Sequence, residues 1–247
     1  MKKIILVSLI IGSFVLFHSC GASHNIVEEV VYKDNRFTFE QLMKKEVVIG
    51  GIASQQLHIP DHERIQYGTL LSTIIIEELK DVHNINIITT SQFIQRLGNE
   101  NYINIMKEVD AEQVLMDEAL DFITEEMPDF DYIITANIEN ENVIESSDSE
   151  LVMDEYGEEE YETDYQRAYY LTVEFQVYDL KMKTMVWDIR LYNAAYRTET
   201  RTTETGCVES CISGTINDIL FGSPAEIDRE EVLAEIFIKF TEKLAEQ

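Results

Sequence analysis

Residues 168–195 read Ala168-Tyr-Tyr-Leu-Thr-Val-Glu-Phe-Gln-Val-Tyr-Asp-Leu-Lys-Met-Lys-Thr-Met-Val-Trp-Asp-Ile-Arg-Leu-Tyr-Asn-Ala-Ala195, and this stretch decides the fold. Tyr169, Leu171, Val173, Phe175 and Val177 share one parity, while Tyr170, Thr172, Glu174, Gln176 and Tyr178 share the other. Beyond Asp179–Thr184, Met185, Trp187, Ile189 and Leu191 alternate in the same way with Val186, Asp188, Arg190 and Tyr192. A period of two over both runs predicts a β-hairpin with one face buried and the other wet. Asp179 suits its turn, because an aspartate side chain accepts backbone hydrogen bonds from the residues that follow. Trp187 falls on the buried parity, as core.

Working outward, Val47–Ala53 is apolar on both parities, as is the run from Asp131 to Ile138, so both read as strands covered on two faces. Gly50-Gly51 starts neither a GxGxxG nor a GxxxxGK[ST] pattern, which leaves close backbone packing or a bulge as their purpose. Asp61–Val82 carries Ile65, Leu70, Leu71, Ile74, Ile75, Leu79 and Val82 at helical spacings, with Asp61 as N-cap. Residues 85–89 form a further strand, and Ser91–Gly98 a short helix. Asp110 and Gln113 have the spacing of a capping box for a helix reaching Glu126, stopped by Pro128. Ile227–Leu244 closes the chain as an amphipathic helix. Strand, helix, strand, helices, strand, hairpin and helix make an α/β (α+β) domain. It has a mixed sheet of about five strands, helices on its faces, and a C-terminal hairpin with a closing helix. At 247 residues and 45% hydrophobic content, one core and one domain, 37–247, are expected.

The N-terminus belongs to a different class of element. Lys2 and Lys3 precede an apolar run from Ile4 to Phe17, the build of a signal peptide covering residues 1–19 and too short for a spanning helix. Leu16-Phe17-His18-Ser19-Cys20 resembles a bacterial lipobox. That resemblance implies a covalent lipid on Cys20, which becomes the mature N-terminus. An ordinary secretory signal is the alternative. Gly21 is not the acidic residue associated with inner-membrane retention, so the outer membrane is expected, facing the periplasm or exposed at the surface. Residues 20–36 read as the lipidated cysteine and a short polar tether of ~50 Å at full extension.

The formal charge of −28 excludes nucleic acid and anionic headgroups as partners, so the lipid anchor has to hold the membrane. Cys207 and Cys211 are an even pair in an exported chain, which suits a local disulfide; zinc and a reduced pair are the alternatives. Residues 139–164 read as a solvated acidic loop, and 196–222 as a polar extension with threonine-rich alternation at its start. Asp148, Glu150, Asp154, Glu155 and Glu158 in the loop offer oxygen ligands for calcium, though without the spacing or glycine of an EF-hand. His58 and His62 flank Pro60 and Asp61 at a loop-to-helix junction, where capping is the simpler role. A hydrolase would need His58 or His83 beside a serine.

Taken together, the strand Val47–Ala53, the helix with Tyr67-Gly68-Thr69-Leu70-Leu71-Ser72, and Ser91-Gln92-Phe93 after a strand resemble exported lipoproteins of the CsgG and LpoB type. Asp131-Tyr132-Ile133-Ile134 and Val177-Tyr178-Asp179-Leu180 continued by Val186-Trp187 add to the likeness. The resemblance covers roughly residues 45–195 and the last helix. It implies non-enzymatic work in secretion pores, in activating cell-wall synthases, or in assembling envelope machinery. Two features stand against copying those roles. Neither 139–164 nor 196–205 has the apolar face of a membrane strand, and the tether is too short to reach from the outer to the inner membrane. The expectation is an envelope adaptor that binds other envelope proteins or itself, with a calcium- or small-ligand-binding lipoprotein as the alternative.

Overall fold

A computed structural model of the chain describes residues 22–54, 59–80, 85–153, 156, 159–204 and 227–247. Its strands are β1 (Ser23–Lys33), β2 (Glu46–Ala53), β3 (Asn86–Ile88), β4 (Tyr132–Met153), β5 (Glu159–Asp179) and β6 (Thr184–Glu204). Its helices are α1 (Phe39–Leu42), α2 (Asp61–Leu79), α3 (Thr90–Leu97), α4 (Asn99–Glu112), α5 (Asp117–Glu126) and α6 (Arg229–Ala245). One mixed sheet runs in the order β1-β6-β5-β4-β2-β3. The α/β fold class is therefore as the alternation predicts, with six strands. β2 lies parallel to β3, Val47 opposite Ile87, and parallel to β4, Val48 opposite Ile133. The β2–β4 register slips between Ile49 and Gly51, which makes Gly50 a bulge. Gly51 has φ +121°, and a Cβ there would stand 2.4 Å from the hydroxyl of the buried Tyr102, so both expected reasons for the glycines hold.

Two compact units divide these elements: Asn25–Val143, Tyr169–Ala194 and Asp228–Gln247 in one, and Met1–His24, Ile144–Ala168 and Ala195–Ile227 in the other. β1, β4, β5 and β6 contribute to both. In the larger unit, α6 covers one face of the hairpin. Phe240 stacks on Phe175 at 4.1 Å and on Trp187 at 5.6 Å, and Phe37 stacks on Trp187 at 6.1 Å. Trp187 is core, as its parity predicts. A second cluster joins Phe93, Tyr102, Met106, Leu115, Leu120, Ile123 and Phe130 of the α3–α5 region to Ile133, Tyr178 and Leu180. Arg64 of α2, buried, clamps this region: its Nη1 and Nη2 donate to Asp110 at 3.0 and 2.8 Å, and Nη1 also donates to the Ile52 carbonyl at 2.8 Å.

The smaller unit is built from β-structure, with polar pairs between strands. Ser149 and Thr163 share a hydrogen bond of 2.9 Å, Thr200 donates to Asp164 at 2.6 Å, and Arg167 pairs with Glu145 at 3.2 Å.

Several boundaries differ from the sequence reading, each for a physical reason. Residues 23–33, expected within a tether, form β1, because β6 offers an edge that supplies the hydrogen bonds a solvated segment would otherwise take from water. The stretch 139–164, expected as a loop, is drawn into β4 up to Met153 and β5 from Glu159: pairing between strands sustains it without a core. Asp110 caps nothing. It sits inside α4, which ends at Gln113 in the left-handed conformation, and its carboxylate serves the Arg64 clamp. Pro60 is the N-cap of α2 and Asp61 its first residue. Val82 lies outside the described residues.

Candidate interaction site

β1 is an edge strand exposed along nearly its whole length. Val27 is 55% exposed, Val30 53%, Val31 47% and Tyr32 44%, a density of apolar side chains that edge strands ordinarily avoid. Its direction follows from its contacts with β6: Asp34 N–H donates to the Val186 carbonyl at 2.9 Å, while Glu29 lies by Arg190 and Tyr192, so the two strands are antiparallel. Two adjacent glutamates sit in the middle. Adjacent residues of a strand point to opposite faces. Glu28 accordingly meets Lys243 of α6 at 3.0 Å, whereas Glu29 meets Arg190 at 3.4 Å and accepts from the Tyr192 hydroxyl at 2.7 Å. Glu28 is held from α6 and Glu29 from β6, with their side chains 41% and 55% exposed.

Behind Glu29 a row of carboxylates crosses the sheet around Arg190. The guanidinium donates from Nη2 to Glu139 at 2.7 Å and to Glu174 at 3.0 Å, and its Nε lies 2.6 Å from the second Glu139 oxygen. Glu174 and Asp188 are both buried. Burial first, and then the charge of Glu174, push Asp188 up to about 7. Burial and the charge of Glu139 raise Glu174 as well, against the opposing pull of Arg190. For Arg190 burial acts downward, but hydrogen bonds to Glu139 and Tyr192 and the charges of Glu139 and Glu174 carry it above its ordinary value. Gln176 links the row to the core: its amide donates to Glu174 at 3.2 Å, its oxygen accepts from the Tyr178 hydroxyl at 2.7 Å, and that hydroxyl accepts from the Leu115 N–H at 3.1 Å. Asn137, two residues before Glu139 on β4, is buried with both amide atoms lacking a protein partner, as is Oδ1 of Asp188. Such atoms commonly hold a buried water.

The hairpin's alternation marks Glu174, Gln176 and Asp188 as a wet face. The structure buries them, and one signal pointed that way: Arg190 stands on the same parity, able to neutralise carboxylates in its reach. Chemically the row can hold cationic side chains and retain a proton near neutrality.

The other predicted site residues are spread apart. Asp148 and Glu150 lie exposed on β4, and among the described residues no group of three metal-ligating side chains forms. Cys20, Cys207, Cys211, Asp154, Glu155, Glu158, His58 and His83 lie outside the described residues. His62 is exposed in the first turn of α2. None of the described helices is long and apolar enough to cross a membrane.

No family model and no curated protein matches the chain. Solved structures do show likenesses. The PelC dodecamer from Paraburkholderia phytofirmans is 10% identical with a TM-score of 0.33, over 89% of this chain and 98% of that one. Lipoprotein GNA1162 from Neisseria meningitidis is 8% identical with a TM-score of 0.33, over 71% and 97%. The LpoB C-terminal domain from Salmonella enterica is 6% identical with a TM-score of 0.33, over 69% and 87%. LpoB is one of the types that the motif order resembles, but TM-scores this low have no bearing on function or partners.

Proposed function

We propose that the protein is a non-enzymatic adaptor of the bacterial cell envelope, anchored to the outer membrane by a lipid on Cys20, which works by binding other proteins through the β1 edge. The observation that carries this reading is β1 itself, a strand at the edge of the sheet among the described residues, with Val27, Val30, Val31 and Tyr32 in solvent. The anchor rests on Lys2, Lys3, the Ile4–Phe17 run and Cys20. Ser23 follows Cys20 by three residues, so the strand starts within ~10 Å of the lipidated backbone at full extension. Partners are therefore met at the membrane surface, on the side where the domain sits, with a Cys207–Cys211 disulfide compatible with that compartment.

Cross-linking in intact cells followed by affinity capture tests this, with Cys20→Ala in parallel. An envelope protein captured reproducibly and lost in Cys20→Ala supports the adaptor; capture that ignores Cys20 overturns the anchor's part in it. A calcium-dependent rise in melting temperature, abolished by Asp154→Asn, Glu155→Gln and Glu158→Gln together, would favour the ligand-binding alternative.

A further inference from the structure

Resting on the reading that β1 is a docking edge, we infer the kind of segment it takes: an extended strand of a partner protein in which a basic doublet stands between β-branched or aromatic residues, added beside β1 as a seventh strand. The side chains of β1 set this pattern. Side chains directly opposite on neighbouring strands share a face and interact in pairs. Because Glu28 and Glu29 are adjacent and point to opposite faces, their cross-strand partners are also adjacent and also point to opposite faces. Two successive basic residues in the incoming strand answer both.

Each glutamate already has a cation on its inner side, Lys243 for Glu28 and Arg190 for Glu29. A carboxylate offers about four lone-pair sites, so a second donor from outside is accommodated. The need for positive charge is greater on the Glu29 face, where Arg190 is shared among Glu29, Glu139 and Glu174. On either side of the doublet, Val27 and then Val30, Val31 and Tyr32 call for apolar side chains, which would cover surface now in water.

A second copy of the chain fits this edge poorly. Full-length antiparallel pairing of Ser23–Lys33 with its own copy sets Glu28 opposite Glu28, and like charges directly opposite destabilise a sheet. Each copy also carries a net charge of −28.

Any cationic peptide is drawn to so acidic a protein, so the test separates strand addition from general attraction. The probe is a fluorescein-labelled eleven-residue peptide of valine and threonine with a central Lys-Lys, titrated by anisotropy against the full chain in detergent micelles. Three comparison peptides accompany it: one with Glu-Glu at the centre, one with the lysines moved to the two ends, and one N-methylated at alternate residues on its pairing edge. The Lys-Lys peptide is expected to bind about tenfold more tightly than the end-placed version, equivalent to 1.4 kcal/mol. N-methylation, which keeps the charge and removes backbone donors, should abolish binding. Glu28→Gln with Glu29→Gln should erase the preference for the central doublet.

Equal binding of the N-methylated or end-placed peptide overturns the inference, since charge alone then suffices. Tightest binding of the Glu-Glu peptide, or of one with the Ser23–Lys33 sequence, overturns it in favour of other partners or of self-association. Either failure leaves the adaptor itself to the in-cell capture, which does not depend on which surface is used.

Discussion

The two faces of the hairpin in the larger unit both bury side chains and are chemically opposite. On one, Phe175 and Trp187 meet Phe237 and Phe240 of α6 through stacked and edge-on rings. On the other, Glu174, Gln176 and Asp188 are buried among polar partners. The first face stabilises through area removed from water and through ring packing. The second is held by one guanidinium and a chain of hydrogen bonds, and burial raises the pKa of Asp188 and Glu174 within it. Burial alone thus says little about what a face contributes. Its chemistry decides whether stability is independent of pH or tied to it.

The apolar face should break hardest. Phe240→Ala removes a ring stacked on both Phe175 and Trp187 and should cost ~3–5 kcal/mol in urea unfolding, with little change between pH 5 and pH 8. Arg190→Met should cost less, ~1–3 kcal/mol at pH 8, because its guanidinium is partly open to solvent but its loss leaves Glu139 and Glu174 facing each other without a cation. The same variant should lose less at pH 5, where raised carboxylates take up protons and the repulsion fades; an identical loss at both pH values would remove Glu174 from the account.

Asp188→Asn should go the other way. The folded carboxyl holds its proton to about 7, while the unfolded one releases it near 3.8. Between those values the folded state binds more protons than the unfolded, so stability falls as pH rises through the window. The asparagine variant should therefore match the parent near pH 4 and exceed it by ~1–2 kcal/mol at pH 8, a difference that thermal melts across the range would resolve. Tyr178→Phe is the smallest step. It deprives the Leu115 N–H of its acceptor and Gln176 of a donor, for ~1 kcal/mol with no pH dependence.

Much of this contrast is legible in the sequence. The period of the hairpin placed Trp187 and Phe175 inside and grouped Glu174, Asp188 and Arg190 on one side. What the period could not supply was the cover over that second side. α4 and α5 bring Leu115 and its neighbours to Tyr178, and no local pattern announces packing between residues 63 apart in sequence. Asp110 shows the same limit: its spacing to Gln113 satisfies a capping rule, yet the long-range pull of Arg64 takes its carboxylate. β1 escapes a reading by period because Ser23–Lys33 lacks alternation. An edge strand open on both faces has no buried parity to advertise it.

The place of β1 in the sheet also sets an order of assembly. Glu29 and Tyr192, which meet across β1 and β6, are 163 residues apart in the chain. β1 is thus the first of the six strands to be synthesised, and its pairing with β6 is a non-local contact of the kind that slows folding. Because β1 pairs with β6, the strand that closes the hairpin, hydrogen-exchange protection along Ser23–Lys33 is expected to appear no earlier than that of β6 in refolding.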